Sequence, residues 1–377
     1  MCRIIYSPKY SLYNLGDEHP FSPLRVEMVI DLLTLLGIDF NYSEPQAVNI
    51  DKLESVHSKK YVETVERLSM GKDVSDFEKY GFGSQDNPII IGMAEGARYH
   101  VGGTLLAAQL LLSEEEKKVI QFGGGLHHAQ PSTASGFCIY NDLAVAIKEM
   151  TNAGWHVAYL DLDVHHGDGV QKIFYSDENV MTISFHESGE FLFPGSGSVY
   201  ELGQGMGRSL KLNVPLEPFT EGDSYMEGIQ KIVAPALAWF RPDVLIVQSG
   251  ADPHFSDPLA DLLLTVQDFE KIYNEVIHLA DLSCNGRLLF TLGGGYSFTA
   301  TPRIWTLLYL LVNNIPLPEK LPQKWIDKWE NKLKIKLPVT LHDILPAYEA
   351  IPRKTEIENI NRDTYQHLLD LVAKDWL

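Results

Sequence analysis

The sequence predicts an α/β fold: one domain built on a mainly parallel β-sheet flanked by helices. Three observations carry that prediction. First, five short apolar runs, "KKVIQFGGG", "WHVAYLDLD", "NVMTISFH", "PDVLIVQSG" and "GRLLFTLGGG", read as buried strands, and continuous runs such as Val244 to Val247 suit strands covered on both faces. Second, helical pattern lies between the strands, as in "DLAVAIKEMTNAG" with Gly154 as a stop signal, so the connections are crossovers and the strands parallel. Third, each run ends in glycine, histidine or aspartate. Sites in open α/β sheets form outside the carboxyl ends of strands, so polar residues near 127, 163, 186, 252 and 296 are expected to meet at one edge.

Taken in order, the N-terminal "MCRIIYSPKYSLYNLGDEHP" has no sustained apolar core and no cleavage pattern, which predicts no secretory leader. "GQGMGR", Gly203 to Arg208, follows no clear strand and is read as a turn. "IWTLLYLLV", Ile304 to Val312, is too short to span a membrane and is read as a buried helix. The core is expected to run from about 5 to 315. Residues 316–377, richer in Lys, Trp and Pro, are expected to form a peripheral helical extension within a single domain of 1–377.

Asp and Glu number 50 against 31 Lys and Arg, a formal charge of −19 that opposes direct nucleic-acid binding. The three cysteines, Cys2, Cys138 and Cys284, form no CxxC pair, which excludes a zinc ribbon and fits a reducing, cytoplasmic setting. No membrane association is expected.

The chemistry is concentrated in "AYLDLDVHHGDGVQ", Ala158 to Gln171. If the strand continued through it, Asp161, Asp163 and His165 would share one face, spaced by two. Buried carboxylates without partners are very costly, and a divalent cation compensates them. Asp-x-His supplies one oxygen and one nitrogen, a set that suits zinc or ferrous iron. "SGADPHFSDPLADLLLT" offers Asp252, His254 and Asp257 as further ligands. The adjacent His127 and His128 follow three glycines and lack metal-ligand spacing. They read as acid–base groups, with Asp161 and Asp168 available to orient the rings.

"GGGLHHA…SGFCIYND", "YLDLDVHHGDGVQ", "ISFH…FPGSG", "SDPLADLLLT" and "LGGGY", with "HPFSPLR" and "YGFGSQDNP", together resemble the zinc-dependent histone deacetylase superfamily, most closely its bacterial acetoin-utilisation-type and class I-like members. The resemblance covers roughly residues 5 to 315 in matching order and implies the arginase/deacetylase-like fold. It implies Asp163, His165 and Asp257 as metal ligands, leaving Asp252 and His254 outside the ligand pattern. It implies His127 and His128 as the catalytic pair, partnered by Asp161 and Asp168, and Tyr296 as donor to the developing oxyanion. Gly136, Phe137, Phe193 and Leu259 would line the substrate channel. Asp86 would hold the substrate backbone at the rim, although one inserted residue there puts Gln85 or a shifted loop in contention. The resemblance further implies a structural potassium at Asp161, Asp163, His165, Ser184 and Phe185, a second, looser one at Phe174, Asp177 and Val180, and an exit cavity at Arg25.

The expected activity is therefore metal-dependent hydrolysis of acetyl or other short acyl groups from lysine side chains of proteins or peptides. Small acetylated amines are the rival substrates, as in an acetylpolyamine amidohydrolase, although Leu259 offers no charge for a second ammonium. A two-metal arginase-like site would need a carboxylate where Gly167 stands. A silent metal-bound scaffold is the remaining alternative, opposed by an intact Tyr296 and both histidines.

Overall fold

The computed structural model describes residues 2–376. Eight strands form one sheet: β1 (Arg3–Ile5), β2 (Tyr42–Ser43), β3 (Lys118–Gln121), β4 (Val157–Asp161), β5 (Val180–Glu187), β6 (Lys211–Leu216), β7 (Val244–Gln248) and β8 (Leu288–Thr291). Their order is β2-β1-β3-β8-β7-β4-β5-β6, and every pairing is parallel. The five apolar runs became β3, β4, β5, β7 and β8, and residues 142–152 are helical as expected.

β4 and β7 are buried at every position, because helices cover both faces of the sheet. Asp161 of β4 is in register with Ser184 of β5 and Gln248 of β7. The carboxyl ends of the central strands therefore open side by side. "GQGMGR" does form a short turn, Gly205–Gly207. Among the described residues no helix is long and apolar enough to cross a membrane.

Residues 316–377 carry the helices Gln323–Leu333 and Lys354–Trp376. Their apolar side chains, including Trp325, Trp329, Tyr365 and Leu368, join the largest buried core. Trp325 Nε1 donates to the Met28 carbonyl at 2.9 Å, and Asn361 Nδ2 donates to Thr220 Oγ1 at 2.8 Å. The segment is thus integral to the core as well as helical. Its Asp343 reaches back towards the strand ends. There His254 Nε2 donates to one carboxylate oxygen at 3.0 Å and the buried Arg303 donates to the other at 2.8 Å.

Candidate active site

β4 ends at Asp161, and residues 162–167 leave it as an irregular turn, so the strand geometry expected through His165 stops four residues early. Leu162 and Val164 still anchor the turn in the core, which leaves Asp163 and His165 directed away from it. The ligand atoms of Asp163, His165 and Asp252 all lie within 4.8 Å of one another, and all three residues are buried.

Asp257, the third ligand that the resemblance implies, lies close enough to His165 and Asp163 to feel their charges. Its carboxylate accepts from Tyr296 N at 2.6 Å and from Leu259 N at 3.0 Å, one bond to each oxygen, which leaves lone pairs on both for a cation. Asp252 instead uses only Oδ1 on backbone, accepting from Val164 N at 3.0 Å. Its buried Oδ2 has no hydrogen-bond partner and faces His165 Nδ1 at 3.3 Å. An orphaned carboxylate oxygen beside an imidazole nitrogen is what a divalent cation completes. The electrostatics agree. Burial lowers His165, but the hydrogen bond to Asp163 and the charges of Asp163 and Asp252 outweigh that and raise it to about 10, so positive charge is favoured in this recess. Side-chain-free Gly250 and Gly294 give the carboxylates room, since a Cβ at either would come within 2.7 Å of Asp163 or Asp252. His254, the other ligand offered by this segment, is turned away to Asp343.

The tandem histidines stand over this group, with ring centroids 4.0 Å apart. His127 Nδ1 donates to Asp161 Oδ2 at 2.8 Å, and that oxygen also accepts from Tyr159 Oη at 2.6 Å. His128 Nδ1 donates to Asp168 Oδ1 at 2.7 Å, and Gln130 Nε2 holds the other carboxylate oxygen at 2.7 Å. The two rings are driven apart in protonation. Burial opposes charge on His127, but Asp161 and Asp163 outweigh it and raise His127 to about 9. Burial and then the His127 charge push His128 down to about 4. His128 is therefore the neutral ring, with its Nε2 lone pair free for a proton. Tyr296, raised well above its ordinary value by burial and by the Asp252 and Asp163 charges, keeps its phenolic proton.

Aromatic walls lead to this floor. Phe137 packs edge-on to Tyr296 at 5.7 Å, and the half-exposed Phe193 packs edge-on to His128 at 5.1 Å. Gly136 takes φ +49°, and a Cβ there would collide with His128 and press on Phe193 at 3.0 Å, so glycine keeps the slot open. Leu259 is half-buried next to Asp257. Asp86 and Gln85 are exposed, and His19 bridges the Asp86 carbonyl (3.3 Å) and the Phe137 ring (4.6 Å), which puts Asp86 at the mouth. A Cβ at Gly167 would collide with Asp161 Oδ2, so no second-metal carboxylate fits there.

Behind the floor, buried Arg25 donates to the Gly293 and Gly295 carbonyls at 3.0 and 2.8 Å and lines a cavity of about 310 Å³ with Tyr10, His100 and Trp305. Ser184 and Phe185 lie in β5 beside Asp161, an oxygen-rich neighbourhood together with Asp163 and His165 that suits a hard monovalent cation. At the second expected set the carbonyls accept hydrogen bonds within the chain. The Asp177 and Val180 carbonyls both accept from Lys211 Nζ, and the Phe174 carbonyl accepts from Asp177 N. His186, expected at the common edge, packs tilted against His166, with ring centroids 4.8 Å apart, and bonds Ser184 and Gly197. Gln248 escaped sequence reading: its Nε2 donates to Asp163 Oδ2 at 2.7 Å, and as the last residue of a buried strand its polarity was the available signal.

Comparison with known proteins agrees with this geometry. A model of the histone deacetylase domain matches residues 19–312. The acetoin utilization protein AcuC of Bacillus subtilis (strain 168) is 40% identical over 376 residues, covering 98% of this chain and 97% of that protein. The AcuC protein of Staphylococcus aureus (strain MRSA252) is 37% identical over 372 residues, covering 97% and 95%. Among solved structures, a crystal structure of an HDAC homologue complexed with SAHA superposes with a TM-score of 0.87 at 27% identity, covering 97% of this chain and 99% of that one. An HDAC homologue from Aquifex aeolicus gives 0.85 at 26% identity, covering 96% and 99%.

Proposed function

The chain belongs to the histone deacetylase family, and from that premise we propose that it removes acetyl or other short acyl groups from lysine side chains of proteins or peptides, with zinc held by Asp163, His165 and Asp257 and the buried Asp252 beside them. The observation that carries the reading is the pair of carboxylate-bound histidines, one charged and one neutral, beside the unpartnered Asp252 Oδ2. The same donor set tolerates ferrous iron. A divalent cation bound there supplies Lewis acidity to the acyl carbonyl and acidifies water towards neutral pKa.

The residues of the chain do the rest. His128 Nε2 accepts a proton from the attacking water and returns it to the leaving lysine nitrogen, its other nitrogen held by Asp168. His127, kept positive by Asp161, stabilises the negative charge that develops on the acyl oxygen and limits how basic His128 can be. The Tyr296 hydroxyl donates to the same oxygen. Phe137 and Phe193 flank the lysine methylenes, an apolar sleeve that excludes water around the stem while the tip reaches the floor. Potassium at Asp161, Asp163, His165, Ser184 and Phe185 would brace the turn carrying the metal ligands, and the Arg25 cavity gives the released acid a route away from the floor.

The test is acyl release from a panel of acyl-lysine peptides and acetylated polyamines, by chelator-treated protein before and after one equivalent of zinc. Zinc-restored turnover of lysine peptides is the expected result. Turnover confined to polyamines would replace the substrate assignment. No turnover by zinc-loaded protein would overturn the reading in favour of a binding scaffold.

A further inference from the structure

Lys211 is the first residue of β6, paired with Thr182 of β5, and none of it is exposed. A buried amine is costly unless its donors are used. Its Nζ donates to the Val180 carbonyl at 2.5 Å and the Asp177 carbonyl at 3.2 Å. These are two of the three residues expected to hold a second potassium, and the third, Phe174, gives its carbonyl to Asp177 N at 3.0 Å. The segment 174–180 around them is tightly tied. Asn179 N donates to Asp177 Oδ1, Val157 N to the Asn179 carbonyl, and Gln204 N to the Tyr175 carbonyl. The lysine stem is walled by the Gly203 turn, where a Cβ would press on Lys211 Cγ at 3.0 Å.

We propose that the Lys211 amino group permanently occupies the second monovalent-cation position, so that the chain binds no potassium at Phe174, Asp177 and Val180. A tethered nitrogen within bonding distance of both carbonyls excludes an ion from the same space. Occupancy does not depend on charge. Burial lowers the amine to about 7 and Asp177 opposes that, yet the ammonium has three N–H donors and the neutral amine two, enough for two carbonyls in either state. What an exchangeable ion would do for the link into β5 is done by a covalent part of β6. The inference rests on the family assignment only for where the second ion was expected, not for the deacylase reading.

The experiment counts rubidium bound per chain by equilibrium dialysis at constant ionic strength, for the parent protein, Lys211→Ala and Lys211→Arg. The parent is expected to bind one ion or none. Lys211→Ala, which frees the carbonyls and leaves space, is expected to bind one more than the parent and to gain a melting temperature that rises with potassium. Lys211→Arg keeps a tethered donor and is expected to match the parent. Two ions in the parent, or no added ion in a folded Lys211→Ala protein, would overturn the proposal. Should Lys211→Ala fail to fold, the parent count alone decides, and neither count depends on turnover.

Discussion

Two places in this molecule gather buried oxygen atoms, and they are compensated in opposite ways. Around Asp163, His165 and Asp252 the chain leaves an oxygen unpartnered and a deficit of positive charge. Burial, then the Asp163 charge, pushes Asp252 up to about 8. Further along the chain from Asp163 and His165, at Asp177 and Val180, the oxygens are backbone carbonyls and Lys211 meets them from the neighbouring strand. The difference follows from what each place has to do. A cation that polarises a substrate needs an open coordination position, which a tethered lysine cannot offer. A cation that only holds backbone needs no opening, so a side chain serves.

The largest expected effect tests the first of these places. Asp257→Ala should abolish zinc binding and lower turnover on the order of 10⁴-fold or more, because several kcal/mol of transition-state stabilisation depend on the metal. Asp252→Ala, at the carboxylate grouped with Asp163 and His165, tests whether that oxygen also ligates. Zinc stoichiometry on both variants decides, and loss of metal from the Asp252 variant alone would move the third ligand from Asp257 to Asp252. Next in size, His128→Ala should keep its zinc and lose about 10³-fold in turnover as the proton acceptor disappears. Turnover near the parental rate would move the base to another group. Tyr296→Phe should retain zinc and lose about 10²- to 10³-fold in kcat with a smaller change in KM, the pattern of a donor used mainly in the transition state.

The smallest effect concerns a third kind of compensation, in which a buried group is kept neutral. Burial holds His57 and His100 at about 4 against an ordinary 6.5. A histidine depressed on folding gives stability that is complete above 6.5 and is lost as pH falls towards 4, because the unfolded chain takes up the proton first. Each should withdraw on the order of 3 kcal/mol across that window. Urea midpoints from pH 7 to 4.5 should therefore fall. His57→Asn, whose amide can still donate to the Gln130 carbonyl, should fall less steeply than the parent. An unchanged slope would show that His57 does not carry this term.

How much of this was legible depends on how local the signal was. The strands β3, β4, β5, β7 and β8 announced themselves by uninterrupted apolar runs ending in glycine or charge. β1 and β2, at three and two residues, are too short to carry a period. β6, "KLNVPL", hides behind Lys211, Asn213 and Pro215, and its edge position is what tolerates the proline. The tandem histidines and their aspartate partners were readable because each sits in a dense motif. Residue types alone left Asp252 and Asp257 both open, because both lie in one loop after β7, and the family resemblance chose Asp257. Only the fold brings Asp252 Oδ1 onto Val164 N, beside His165, and seats Asp257 under Tyr296. Lys211 was invisible for the same reason, since its partners lie on the approach to a different strand.

The Asp343 contact has a consequence in time. His254 stands two residues beyond Asp252, and its ring is held by a carboxylate that emerges from the ribosome some ninety residues later, braced by Arg303. A nascent chain that already contains every histidine, aspartate and tyrosine of the site still lacks the clasp on the loop between β7 and the following helix. That loop therefore stays unclasped until all eight strands of the sheet have been made.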